Sequence, residues 1–224
     1  LRSIIPNALT ALNLVFGVFA IISAYHGQFL QAGTLIFAAM IADGLDGRVA
    51  RYFGVSGDFG KELDSLCDLV SFGVAPGFLA YVLVLNELGF IGMVIAALFA
   101  TCGALRLARF NVNVGIVKGY FMGLPIPAAG CVIATFIMTG LKPQGIWFPI
   151  MMSIVALLMV STIRYPDFKG KGEPIRLIPA ILTLALAAYL IYTFRQINLF
   201  IPFFSFALFG ILNTAFALFD KSNS

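Results

Sequence analysis

Asp43-Gly44-Leu45-Asp46-Gly47-Arg48-Val49-Ala50-Arg51, followed by Gly60, Asp64 and Asp68, is the stretch on which the reading of this chain turns. It sits among apolar segments, yet six of the ten acidic residues fall between positions 43 and 68. A carboxylate at the centre of a bilayer costs roughly 2.5–3.5 kcal/mol, so the four spaced aspartates would together cost on the order of 10 kcal/mol without compensation. A bound divalent cation supplies it. Four hard oxygen donors suit Mg²⁺, Mn²⁺ or Ca²⁺, and no histidine or thiolate is placed to favour zinc.

The surroundings justify the bilayer reading. Of 224 residues, 61% are hydrophobic and 11% charged, with 23 phenylalanines; soluble domains carry about 25% charged residues. Mean hydropathy is +1.01. These values predict an all-α integral membrane protein rather than alternating barrel strands. The net charge of +4 is spread over many segments and forms no basic stripe, which argues against a nucleic-acid partner. Cys67, Cys102 and Cys131 lie in apolar runs without metal-ligand spacing and are expected to pack as small buried residues. The first apolar run shows no cleavable signal-peptide pattern.

Apolar stretches long enough to cross a bilayer run over 8–25, 31–52, 61–85, 90–110, 124–140, 146–163, 175–193 and 197–219, which predicts about eight helices. Their connections are short and leave no room for a soluble domain, so residues 1–224 are expected to form a single membrane domain. If the first helix starts inside, twelve basic residues fall on one side and only Lys142 and Arg195 on the other. Setting aside Arg48, Arg51, Arg106 and Arg109, which lie within helices, leaves eight against two. The bias predicts that both termini, and the aspartates at the facing ends of helices 2 and 3, are cytoplasmic. His26, the one histidine, then falls in the first external loop.

On a helix, Asp43, Asp46, Gly47, Ala50 and Arg51 share one arc, and Asp64 and Asp68 stack on one face with Ser71 beside them. Two antiparallel helices joined by a glycine-containing turn therefore present four carboxylates to one another at one depth. Two divalent ions about 4 Å apart, bridged by carboxylates, would stabilise attacking and leaving oxygens in phosphoryl transfer. Glycine and alanine at 47 and 50 leave space for a ring or sugar against the backbone, and Arg51 is placed to bind phosphate. Ordinary ion pairing or glycine packing accounts for any one of these residues, but not for four aspartates on one helix pair.

This spacing resembles the signature of the CDP-alcohol phosphotransferases and matches it at every fixed position from Asp43 to Asp68. The resemblance implies transfer of a phosphatidyl or similar group from a CDP-activated lipid to an alcohol, with release of CMP. It implies two divalent cations, Mg²⁺ or Mn²⁺, held by Asp43, Asp46, Asp64 and Asp68, with Asp68 also the general base. Gly47, Ala50, Arg51 and Gly60 would border the CDP group. It also suggests a homodimer within the membrane lipids. Asn7, Thr10 and Asn13 open the first helix in a Pro-Asn-x-x-Thr pattern that family members share. All three are read as hydrogen bonding to nucleotide or phosphate, with Asn7 and Thr10 taken as CDP-lipid contacts, the alternative being a helix cap or interhelical hydrogen bond.

A second polar group, Arg106, Arg109, Asn111, Asn113 and Lys118, falls at the end of helix 4. Arg106 and Arg109 are three apart and are expected to face together, anchoring an acceptor's carboxylate or phosphate or else lipid headgroups. Asn111 and Lys118 join them as candidate acceptor contacts. The segments Ser71–Gly77, Arg106–Asn111 and Gly119–Gly130 look like the branch of the family that uses L-serine. The expected donor is CDP-diacylglycerol or a CDP-archaeol-type ether lipid. Glycerol 3-phosphate or inositol 1-phosphate is the alternative acceptor, and a divalent-cation channel or transporter the alternative of another class.

Overall fold

A computed structural model describes residues 4–55, 57–113, 120–141, 143, 145–166, 177–193 and 199–222. The first two helices, α1 (Ile4–Tyr25) and α2 (Phe29–Phe53), turn back on each other through Gly27, at φ 74°. They pack along much of their length. Both helices bury small residues, Gly17, Ala20 and Ala24 on α1 and Ala32 and Ala39 on α2, which let neighbouring backbones come close. α2 stops at Gly54, whose φ of 64° is left-handed. The Gly54 and Val55 amides donate to the Arg51 and Ala50 carbonyls, closing a Schellman turn.

The chain re-enters as one long rod, Asp58–Leu83, in three parts: α3 (Asp58–Asp68), a π-helical segment (Leu69–Val74) and α4 (Ala75–Leu83). Pro76 explains the middle part. It has no N–H for the Phe72 carbonyl and its ring would press on that oxygen, a conflict that a wider turn just upstream relieves. Neighbours grip this segment closely. A Cβ on Gly17 of α1 would fall 2.8 Å from the Ser71 Cα, and one on Gly130 would fall 2.8 Å from the Phe72 carbonyl oxygen.

Beyond a 3₁₀ turn at Leu85–Leu88 come α5 (Phe90–Val112), α6 (Ile126–Met138), α7 (Trp147–Val160), α8 (Leu177–Thr193) and α9 (Phe200–Ser222). α6 is the core helix, buried from Ala129 through Ile137. α8 packs on α9 and keeps apolar side chains such as Ile178, Leu184 and Tyr192 exposed, as a lipid-facing helix would.

The described residues are predominantly helical, as expected of a membrane protein built from apolar helices. α1, α2, the Asp58–Leu83 rod and α5 are long and apolar enough to cross a membrane, whereas the later helices offer shorter apolar stretches. One departure lies between them. The expected span 146–163 ends as a helix at Val160, and Arg164–Pro166 forms strand β2, antiparallel to β1 (Tyr120–Met122). β2 is locked to α9 by Tyr165, whose buried ring lies against Gly210 and whose hydroxyl donates to the Ala207 carbonyl at 3.1 Å. Burial raises that phenol's pKa and keeps it a neutral donor.

Candidate active site

The facing ends of α2 and α3 bring Asp43, Asp64 and Asp68 together, with one oxygen of each within 4.8 Å of the others. At that distance two unit charges repel by roughly 3 kcal/mol in a medium of effective dielectric about 20. Three ionised carboxylates so placed need a cation. Arg106 of α5, only 7% exposed, acts electrostatically on Asp68 and Asp43 and supplies one positive charge. The remaining negative charge and the hard oxygen donors fit a divalent ion.

Asp46 lies outside this tightest trio but acts electrostatically on Asp43 and Asp64. It is buried and accepts a hydrogen bond from the Thr10 hydroxyl at 2.6 Å. The bond to Asp46 ties α1 to α2, and the same hydroxyl lies 3.1 Å from the Pro6 carbonyl of its own helix. Three carboxylates form the tightest group, and the fourth, within their electrostatic reach, is also tied to α1. The α-helical arc is the reason: Asp46, three residues on from Asp43, turns toward α1.

A cavity of about 750 Å³ opens beside them. Asp43, Asp46 and Asp64 line it, as do all six residues read as CDP-lipid contacts: Asn7, Thr10, Gly47, Ala50, Arg51 and Gly60. The Arg51 Nη1 lies 3.6 Å from where a Cβ on Gly47 would stand, and the Asn7 Oδ1 lies 3.6 Å from a Cβ position on Gly60. The glycines thus leave the cavity open without being forced to by their neighbours.

The second polar group does not act as a pair. Arg106 reaches inward; its guanidinium lies 5.5 Å from the centre of the Phe110 ring, and its buried Nε has no hydrogen-bond partner. Arg109 points elsewhere and donates to the backbone carbonyls of Met122, Met159, Val160 and Ser161 at 2.9–3.2 Å. It caps the end of α7 and holds β1 against it. Asn111 bridges to α3 through Ser65, with Glu62 at 3.5 Å. Asn113 bonds back to the Arg109 carbonyl, and Lys118 lies outside the described residues.

Asn13, read with Asn7 and Thr10 as a nucleotide or phosphate contact or else an interhelical hydrogen bond, bonds to a site carboxylate across helices. Its Nδ2 donates to Asp68 Oδ1 at 3.0 Å, its backbone carbonyl accepts from the Ser71 hydroxyl at 2.9 Å, and its Oδ1 is buried without a partner. The signal was present: Asn13 follows Thr10 at the spacing by which Thr10 follows Asn7.

Residues 3–163 match a family model described as CDP-alcohol phosphatidyltransferase. The chain belongs to this family. The resemblance drawn from residues 43–68 is therefore borne out. Among curated CDP-alcohol phosphatidyltransferase relatives, one from Helicobacter pylori, named CDP-diacylglycerol–serine O-phosphatidyltransferase, is 36% identical over 98% of this chain and 96% of its own length. A Bacillus subtilis protein of the same name is 39% identical over 74% of this chain and 91% of its own. An archaetidylserine synthase from Methanothermobacter thermautotrophicus is 40% identical over 75% of this chain and 72% of its own.

Proposed function

We propose that this membrane transferase moves the phosphatidyl group of CDP-diacylglycerol, or of a CDP-linked archaeal ether lipid, to the hydroxyl of L-serine, releasing CMP. The observation that carries the reading is the near end-to-end similarity to the Helicobacter pylori serine transferase. The archaetidylserine synthase among the relatives keeps both tail chemistries in play.

In this reading the 750 Å³ cavity receives the CDP group, with Gly47, Ala50 and Gly60 leaving room for it and Arg51 and Asn7 meeting its phosphates. Asp43, Asp46, Asp64 and Asp68 would hold two divalent cations, Mg²⁺ or Mn²⁺, which would supply charge to neutralise the diphosphate and acidify the acceptor hydroxyl. Asp68 takes the proton of the serine hydroxyl. The serine oxygen bonds to the lipid-bearing phosphorus as the bond from that phosphorus to the CMP oxygen breaks, so the electron pair leaves with CMP. Arg106 binds the serine carboxylate; Arg109, committed to four carbonyls, holds the end of α5 in place for it.

Residues 1–224 act as one domain of about eight spans, with the reaction and both termini on the cytoplasmic side, a placement supported by twelve basic residues against two. The family resemblance supports a homodimer. The test is CMP release by purified protein given a CDP-lipid, Mg²⁺ or Mn²⁺, and labelled L-serine, glycerol 3-phosphate or inositol 1-phosphate in turn. Label should enter lipid from serine; incorporation from a phosphorylated acceptor alone overturns the assignment.

A further inference from the structure

Among the described residues, two buried polar atoms without partners belong to side chains that act on one carboxylate, Asp68: Oδ1 of Asn13 and Nε of Arg106. Asn13 is 0% exposed and Arg106 7%. Asn13 touches Asp68 directly, and Arg106 acts on it electrostatically. The amide orientation follows from chemistry, because a carboxylate oxygen 3.0 Å away demands the NH₂ side and sends Oδ1 the other way. The backbone is fixed as well, by the Ser71 hydroxyl bonded to the Asn13 carbonyl. An acceptor atom so held, desolvated and unpaired, is costly, and native proteins rarely keep one without a use.

The position relative to the cavity gives the use. Asp43, Asp46 and Asp64 line the large cavity, whereas Asp68, Asn13 and Arg106 do not. Three of the carboxylates thus form part of the cavity wall, and Asp68 with its two neighbours lies outside that lining. In-line transfer needs the donor's leaving group and the attacking hydroxyl on opposite sides of the phosphorus.

Resting on the reading that serine is the acceptor, we infer that Asn13 is an acceptor-selecting residue, its Oδ1 receiving the α-ammonium of a zwitterionic amino acid while its Nδ2 orients Asp68. The free Nε donor of Arg106 meets the carboxylate, and the hydroxyl is left facing Asp68. Acceptor and donor orphans then find partners in one ligand of opposite paired charges.

The test uses the full chain in lipid nanodiscs with saturating CDP-diacylglycerol and compares L-serine with 3-hydroxypropanoate, which lacks the ammonium. Wild-type kcat/KM should favour serine by about a hundredfold or more, since a site built to bond a polar group rejects the analogue lacking it. Asn13→Leu, of similar volume, should shrink that preference by at least about tenfold with KM for the CDP-lipid unchanged. Asn13→Asp keeps an oxygen for the ammonium and loses the donor to Asp68, so it should retain the preference while kcat falls; it also serves if Asn13→Leu does not fold. Equal use of both acceptors by wild type, equal losses for both in Asn13→Leu, or a lost preference in Asn13→Asp each overturn the inference. Wild-type turnover of another acceptor but not of serine removes the acceptor assignment and the inference with it.

Discussion

Glycines at the cavity and glycines around the π segment look alike in sequence and differ in what surrounds them. At Gly47 the nearest atom to an added Cβ is the tip of Arg51 at 3.6 Å, and at Gly60 it is Asn7 Oδ1 at the same distance. At Gly130 an added Cβ would meet the Phe72 carbonyl oxygen at 2.8 Å and its Cα at 2.9 Å. The second set is demanded by the chain's own packing. The first is not, so the missing side chains there leave open space, and the cavity they border is the one proposed above to receive the CDP group.

That contrast can be broken in several ways. It presumes that chemistry occurs at the carboxylate wall, so the largest expected effect is Asp68→Asn, which should lower kcat about 10²–10⁴-fold. The side-chain amide oxygen introduced by this substitution can still accept from Asn13, so the thermal transition should stay near wild type; an active enzyme would remove Asp68 as the base.

Gly130→Ala should come next, with destabilisation of about 1–3 kcal/mol from overpacking. Thermal unfolding in detergent would show it, with the KM for CDP-lipid unaltered. Gly47→Ala should do the reverse: no change in the unfolding midpoint and a rise of about tenfold in that KM, equivalent to about 1.4 kcal/mol of binding. An unchanged KM would break the contrast. Smallest is Gly54→Ala. The space there is open, but a φ of 64° strains any L side chain, so a loss of about 1 kcal/mol is expected.

Much of this was legible beforehand because helical period and charge cost are local properties. The i, i+4 spacing of Asp64 and Asp68 put them on one face, and the cavity gathers all six residues chosen for the CDP-lipid. Arg106 and Arg109 were harder. Three residues apart, they share a helical arc, but a side chain goes where its partners are, and the frayed carbonyls at the end of α7 claim Arg109. Those carbonyls lie some fifty residues away in sequence, beyond any periodicity argument. The pairing of β1 with β2 was invisible for the same reason, being three residues against three at long range.

The π segment carries a consequence of its own. One additional residue per turn puts the two halves of the Asp58–Leu83 rod out of phase by about 100° relative to a continuous α-helix. The carboxylate-bearing half and the half packed on α5 and α6 are thereby aimed separately, although they share one axis. Removing a single residue anywhere from 69 to 74 would bring the halves into phase. With α4 held by its neighbours, Asp64 and Asp68 would then rotate away from Asp43, and the site would come apart together with the bonds from Asn13 to Asp68 and from Asn111 to Ser65, while the packing of α4 stayed as it is.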